Sequence, residues 1–184
     1  MTGKTHLACG VATGLAVATF TKAPITTGFM TTVCVSAGAL LPDIDKMNSK
    51  VGRKALPISA AAQLVCGHRG FFHSPIFYLV LGAISLFLFP GYNLYTYAFL
   101  LGIGTHLFLD MLNPTGIPLL FPITSRKFHL LSIGTGGIEE RIFYFVFILA
   151  FCYFFGDNFL SYVMTEGVDG FLGNIFEHLS LAKA

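Results

Sequence analysis

The sequence predicts an all-α fold, a polytopic membrane bundle of about five transmembrane helices followed by a C-terminal interfacial helix. Of its 184 residues, 54% are hydrophobic and only 11% are charged, whereas about one quarter of the residues in soluble domains are charged. Five long apolar runs follow one another, and no Pro/Ser-rich linker, low-complexity tract or internal repeat separates them. We therefore expect residues 1–184 to form a single integral membrane domain.

The apolar runs give the expected helices in chain order: residues 7–20, 25–41, 74–89, 94–112 and 142–155. The first and last runs are shorter than the ~20 residues that span a bilayer. We expect these two helices to extend into flanking polar residues or to lie partly inside the bundle. Ser74 and Pro75 predict the start of the third helix, with an N-cap hydroxyl followed by proline at the first helical position.

Small residues on the first and fourth predicted helices favour a packed bundle over separate spans. Gly10 and Gly14 lie four residues apart on the first helix, and Gly102 and Gly104 lie on the fourth. Glycine lets helix backbones approach closely in membranes. We therefore expect helix–helix contacts at these positions.

The two ends of the chain allow specific interpretations. Lys4 before an apolar run, with Ala16-Val17-Ala18 resembling a cleavage site, leaves open that residues 1–18 are a signal peptide. At the other end, residues 168–181 carry an apolar stripe near helical period, which predicts the interfacial helix. His178 in that helix is not expected to be a ligand.

The distribution of basic residues predicts the orientation. Five spans place nine of the eleven Lys and Arg residues on the side of the N-terminus, and the positive-inside rule makes that side cytoplasmic. These nine are Lys4, Lys46, Lys50, Arg53, Lys54, Arg69, Arg126, Lys127 and Arg141, against Lys22 and Lys183 on the other side.

Seven histidine and aspartate residues are expected at the cytoplasmic boundary of this bundle. Ionisable side chains beside lipid-spanning segments are costly, so each is a candidate functional residue. His106 and Asp110 share a helix face through their i, i+4 spacing, and an extended chain after Pro42 would project Asp43 and Asp45 the same way. The candidate metal ligands are His6, Asp43, Asp45, His68, His73, His106 and Asp110.

Imidazole and carboxylate groups suit a divalent ion, zinc first, with manganese or iron as alternatives. A metal-bound water whose pKa is lowered toward ~7 is a nucleophile at cytoplasmic pH. A spare carboxylate or histidine such as Asp45 or His73 can act as general base, and Arg69 can hold a phosphate or carboxylate oxygen. Asn113 and Ser74 are candidates for orienting substrate or ligands. The pattern therefore predicts hydrolysis, with Asp45, Arg69 and His73 as the catalytic residues.

Other interpretations of the same residues stay open. Asp43 and Asp45 can form a solvated turn, His73 can serve as a capping residue, and His106 can hydrogen-bond Asp110 within its helix. The whole set can also hold a structural ion or form a polar cluster in a non-enzymatic membrane protein. An ion carrier is disfavoured because transporter sites usually lie near the midplane. His129 and the run Glu139-Glu140-Arg141 are expected to be solvated loop residues.

Charge and cysteine usage argue against a nucleic-acid-binding protein and against a disulfide-stabilised fold. The formal net charge is +2, and no run of Lys and Arg is interleaved with aromatic residues, as a nucleic-acid surface would require. Four widely spaced cysteines without a Cys-x-x-Cys pair argue against a disulfide framework. The expected partners are membrane lipids and not nucleic acid, and the oligomeric state is left open.

Three motifs together resemble a known family. They are Leu41-Pro42-Asp43-Ile44-Asp45, the run from His68 to Ser74, and the run from Gly104 through His106 and Asp110 to Gly116. In this order they resemble the YdjM-type family of LexA-regulated, inner-membrane-bound proteins, proposed to be metal-dependent hydrolases. The likeness covers residues 6–122, whereas residues 123–184 show only apolar character. It implies a multi-pass protein of the bacterial inner membrane that uses the seven motif residues. From the site chemistry at the membrane we expect a lipid-like or amphipathic phosphoester substrate.

Overall fold

The computed structural model describes the backbone of residues 1–45 and 71–181, and the side chains of residues 1–44 and 72–165. Within these ranges the chain is helical and contains no β-strand, so the all-α prediction is confirmed. Each of the five apolar runs is a helix. The helices are α1 (Gly3–Thr21), α2 (Ile25–Leu40), α3 (Pro75–Leu88), α4 (Asn93–Met111) and α5 (Ile138–Leu181).

The prediction of five membrane-spanning helices is not confirmed. By length and composition, two described segments can cross a membrane, Ile25–Ile44 with 20 residues and Ile138–Thr165 with 28. The pair Pro75–Leu88 and Pro90–Met111, bent by 113°, is a third candidate if it counts as one span. The helix α1 is not among these candidates, and the polar Lys4 and His6 in its first turn lower its hydropathy.

The helices α3 and α4 form a hairpin that starts and finishes at one end of the molecule. Nε2 of His73, just before α3, lies 3.5 Å from Oδ2 of Asp110 in the last turn of α4. With 14 residues, α3 is about 21 Å long and shorter than the ~30 Å hydrocarbon core. The start of α3 and the end of α4 therefore lie at the same end of the helix bundle.

Glycines bring α1 against α2, as predicted. A Cβ atom at Gly10 would lie 2.7 Å from the Cβ of Ala39, and one at Gly14 would lie 2.6 Å from the Cα of Thr32. Either methyl group would force the helices apart. Asn158 of α5 adds a polar link to α1, because its Nδ2 donates to Oγ1 of Thr19 at 2.6 Å.

Glycines also set the contact between α2 and α4. A Cβ at Gly102 would collide with the carbonyl of Val35, and a Cβ at Gly38 would collide with the carbonyl of Phe99. Gly102 was predicted and Gly38 was not. No close contact is found at Gly104, because among the described residues a Cβ there would meet nothing within 4 Å.

Two local predictions at the helix ends need correction. Residues Leu41–Asp45 form a 3-10 helix, with three residues per turn, so positions 43 and 45 do not share a face as they would in an extended chain. Ser74 does precede Pro75 at the start of α3, but it makes no side-chain cap. Its hydroxyl instead donates to the carbonyl of Phe121 at 2.6 Å.

The segment between α4 and α5 folds back over the end of α4. The amide of Leu130 donates to the carbonyl of Met111 at 2.7 Å, and the amide of Ile133 donates to the carbonyl of Leu112 at 2.9 Å. This segment covers the end of the bundle that carries His106 and Asp110.

The far end of α5 is interrupted at Gly167, whose φ of 73° and ψ of 168° are not helical. The backbone beyond it is helical to Leu181, as predicted for residues 168–181. The interfacial position of this segment stays a prediction. His178 lies outside the described side chains.

Candidate metal centre

Five of the seven predicted ligands lie in one buried cluster where α1 begins, α2 ends, α3 begins and α4 ends. His6 is on the first turns of α1, and Asp43 is in the 3-10 helix after α2. His73 precedes α3, while His106 and Asp110 are on the last turns of α4. Their exposed fractions are 1%, 6%, 1%, 0% and 1%, respectively. Tertiary packing thus removes all five from solvent, although they are separated by up to 104 positions in the chain.

The remaining predicted residues lie outside the part that the structure describes. His68 and Arg69 fall in the interval 46–70, and the side chain of Asp45 is also outside the described set. Of the predicted catalytic residues, only His73 is therefore placed in the cluster. The roles of Asp45 and Arg69 stay predictions.

Asp110 is at the centre of the cluster, and its two oxygens face different histidines. Oδ1 lies 3.3 Å from Nε2 of His6. Oδ2 lies 3.5 Å from Nε2 of His73 and 3.9 Å from Nε2 of His106. The last distance is too long for a hydrogen bond, so His106 and Asp110 do not simply pair within their helix.

His106 is held in one orientation by the backbone of α2. Its Nδ1 lies 2.7 Å from the carbonyl oxygen of Ala39, and a carbonyl can only accept, so Nδ1 carries the proton. In the neutral ring Nε2 is then the unprotonated nitrogen, and it is buried without a hydrogen-bond partner among the described residues. A histidine that ligates a metal typically donates its other N–H in this way.

His6 presents a second set of buried nitrogens. Neither of its ring nitrogens makes a hydrogen bond within the described residues. Its ring stacks on that of His106 with centroids 3.8 Å apart and an interplanar angle of 14°. Two imidazolium cations would repel each other at this distance. The stack therefore disfavours a state in which both rings are charged. Neutral imidazole is the form that binds metal ions.

The donor set fits a divalent ion. Ligand atoms form two triads, His6 with His106 and Asp110, and Asp43 with His73 and His106, and within each triad all atoms lie within 4.8 Å of one another. Two ligands of one tetrahedral zinc ion, each about 2.0–2.1 Å from the metal, lie about 3.3 Å apart. The distances from Asp110 to His6 and His73 are close to this separation.

Two further contacts position Asp110. The α-ammonium group of Met1 lies 2.8 Å from Oδ1, and Nδ2 of Asn113 donates to the same oxygen at 3.3 Å. Asn113 in turn accepts a hydrogen bond from Oγ1 of Thr135 at its own Oδ1. Asn113, predicted as an orienting residue, thus contacts a candidate ligand.

Glu140 is buried at the same end of the helix bundle as the cluster, and the sequence interpretation missed it. It was expected to be solvated, but it is 3% exposed. Its Oε1 accepts from the backbone amide of Thr2 and from Oγ1 of Thr5, and its Oε2 accepts from the amide of Gly136 at 2.6 Å.

The start of α5 explains this error. The helix begins at Ile138, four residues before the apolar run at 142. Glu140 is therefore in the first turn of a helix, where carboxylates are favoured. An acidic residue just before a long apolar run was the available signal. The other members of the predicted loop set, His129, Glu139 and Arg141, are exposed as expected.

The family described as "YdjM inner membrane protein" matches residues 1–168, so the match extends well beyond the three motifs in residues 6–122. No solved structure matches the chain.

Individual relatives agree with the family match. The uncharacterized protein YvsG of Bacillus subtilis (strain 168) is 37% identical over 158 residues, which cover 84% of this chain and 94% of that protein. The inner membrane protein YdjM of Escherichia coli (strain K12) is 36% identical over 107 residues, or 55% of each chain. The chain thus aligns with about half of the latter protein. This chain therefore belongs to the YdjM inner membrane protein family.

Proposed function

We propose that this protein is a metal-dependent hydrolase of the bacterial cytoplasmic membrane, acting on a lipid-like or other phosphoester substrate. The observation that carries the proposal is the buried Nε2 of His106, which is fixed by the hydrogen bond from Nδ1 to Ala39 and faces a carboxylate and a second histidine. In a protein interior, leaving such a nitrogen without a partner is costly. A bound divalent ion, zinc first, would satisfy it.

The candidate ligands are His6, Asp43, His73, His106 and Asp110, with Asp45 and His68 as further sequence candidates. A divalent ion in this set would supply Lewis-acid polarisation of a scissile ester and activation of water. Residues of the chain would orient the ligands, accept a proton and hold the substrate. Asn113 holds the orientation of Asp110, while His73 or Asp45 can accept a proton as general base. Arg69 can hold a phosphate oxygen through its planar guanidinium group.

We further propose a multi-pass topology with a cytoplasmic N-terminus. Nine of the eleven basic residues lie on the predicted side of the N-terminus, in line with the positive-inside rule. The five described candidate ligands lie at that same end of the helices, at the start of α1 and α3 and at or just after the end of α2 and α4. A substrate with an apolar anchor would reach such a site from the inner leaflet.

The experiment compares metal content and hydrolysis in detergent-purified wild type and His106→Gln. Glutamine keeps much of the side-chain volume but lacks the imidazole nitrogen, so we expect loss of stoichiometric metal and a fall of at least ~100-fold in hydrolysis of lipid phosphoesters in mixed micelles. Elemental analysis measures the metal, and mass spectrometry measures the products.

The matched control is His129→Gln, because His129 is exposed and lies outside the cluster. It should retain metal and activity, and circular dichroism should show folded protein in all samples. Wild type that binds no transition metal from a buffered metal solution would contradict the proposal.

A second candidate function is non-enzymatic: a structural ion or a self-contained polar cluster that holds the bundle together. The burial of the cluster favours this structural role, because His106 and Asp110 are only 0% and 1% exposed. The Met1 ammonium group also gives Asp110 a cationic partner within the chain. In this case removal of the metal would unfold the protein, and no substrate would be hydrolysed by the loaded form.

A further inference from the structure

The two overlapping ligand triads raise the question of how many ions the cluster holds. His6 and Asp110 belong to one triad, Asp43 and His73 belong to the other, and His106 belongs to both. His106 cannot serve two ions, because its Nδ1 is engaged by the carbonyl of Ala39. Only Nε2 remains, and one nitrogen lone pair binds one metal ion. One of the triads therefore needs a different third donor.

Asp110 can provide this donor. Its Oδ1 is 3.3 Å from Nε2 of His6, whereas its Oδ2 is 3.5 Å from Nε2 of His73. Oδ1 thus faces His6 of the first triad, whereas Oδ2 faces His73 of the second triad and lies 3.9 Å from Nε2 of the shared His106. A carboxylate in this position can place one oxygen on each of two ions, at the separation of about 3.5–4 Å typical of two-metal hydrolytic sites.

We infer that the cluster is a two-metal centre in which the Asp110 carboxylate bridges the ions. Asp43 and His73 complete the second site, and His6 is a ligand of the first. We assign the shared His106 to the first site, because the second already has three ligands in Asp43, His73 and Oδ2 of Asp110. Each ion would then have three ligands from the described residues, and three protein ligands with one open coordination position is the arrangement of catalytic sites. The Met1 ammonium group lies 2.8 Å from Oδ1, and it would have to move away from this oxygen for an ion to bind there.

This inference rests on the proposed function only in assuming that the cluster binds metal at all. It assigns a specific role to Asp110 and divides the remaining ligands into two pairs. The division predicts that His6 and His73 act on different ions, whereas in a one-ion site they would act on the same ion. Metal stoichiometry and the coupling between ions therefore test it without any knowledge of the substrate.

The test uses the full chain, purified in detergent and loaded with Mn²⁺ as the probe. We expect wild type to bind two ions per chain and to give the broad electron paramagnetic resonance spectrum of a spin-coupled pair, since the ions are about 3.5–4 Å apart. His6→Gln and His73→Gln should each retain one ion, with the six-line spectrum of isolated Mn²⁺. Asp110→Asn should lose the coupling.

The control His129→Gln should keep both ions and the coupled spectrum. One uncoupled ion per chain in wild type would overturn the two-metal centre and leave the proposed hydrolase standing. No bound metal in wild type would overturn both. Loss of all metal in both His6→Gln and His73→Gln, with folding intact by circular dichroism, would indicate a single shared site and would also overturn the inference.

Discussion

At the residue scale, hydrogen bonds from neighbouring groups determine how each candidate ligand is oriented and which of its atoms can bind a metal ion. The hydrogen bond to Ala39 leaves Nε2 of His106 as the available ligand atom, and Asn113 holds one edge of Asp110. Glu140 has a comparable role for α1, because it ties down the backbone of Thr2 and the hydroxyl of Thr5, one residue before His6. Such outer contacts typically change metal affinity by about 10–100-fold when they are removed.

Glu140→Gln tests this role. The amide NH₂ of glutamine would face one of the three donors that Glu140 now accepts from, so at least one hydrogen bond is lost. We expect the free energy of unfolding, measured by denaturant titration, to fall by about 1–3 kcal/mol. We also expect the metal affinity to fall by about 10-fold. Glu139→Gln, at the neighbouring exposed position, should change neither. Unchanged metal affinity in Glu140→Gln would show that the contact does not position His6.

At the element scale, the contact between α2 and α4 determines whether the site assembles. Gly102 approaches the carbonyl of Val35, one turn before Ala39, and Gly102 is itself one turn before His106. The same close contact therefore brings the Ala39 carbonyl to Nδ1 of His106. Helix packing and ligand orientation depend on one interface.

Gly102→Ala should separate these helices. Its methyl group would collide with backbone atoms that cannot move independently, so we expect destabilisation of about 1–3 kcal/mol, together with weaker metal binding. Gly104→Ala is the matched control, because its methyl group enters open space. Thermal unfolding followed by circular dichroism, with metal content measured alongside, compares the two. Equal stability of both variants would contradict the role of Gly102.

At the scale of the whole molecule, the apolar exterior is explained by lipid. Large apolar side chains of α5 such as Phe145, Leu149 and Tyr153 are 63%, 69% and 68% exposed. The polar cluster instead lies at one end of the helices, under the segment that joins α4 to α5. The protein therefore separates its lipid contacts from its candidate chemistry along the helix direction.

Cysteine labelling tests the proposed orientation. In a variant in which all four native cysteines are replaced by serine, Thr124→Cys marks the cluster end and Lys22→Cys marks the opposite end. We expect a membrane-impermeant maleimide to label position 22 in intact spheroplasts, and position 124 only in inverted vesicles, because basic residues are retained in the cytoplasm. The reverse pattern would contradict a cytoplasmic N-terminus.

The sequence by itself determined the helices and the identity of the candidate ligands. Apolar runs are local signals, so each predicted helix was found near its expected position, and the described His and Asp residues were brought together as the alternating helix directions required. Contacts at Gly10, Gly14 and Gly102 were predicted from small residues and their spacing within the apolar runs, because close helix contacts in membranes need small side chains.

Only the tertiary structure decided which atoms meet. The proton on Nδ1 of His106 follows from the Ala39 carbonyl, 67 positions away, and the burial of Glu140 follows from contacts with residues 135 or more positions distant. Gly38 makes a close contact that was not predicted, and Gly104 makes none with the described residues, because helix rotation, and not spacing along the chain, selects the contacting face. The division of the ligands into two triads depends on interatomic distances of a few ångströms, which no local pattern in the sequence encodes.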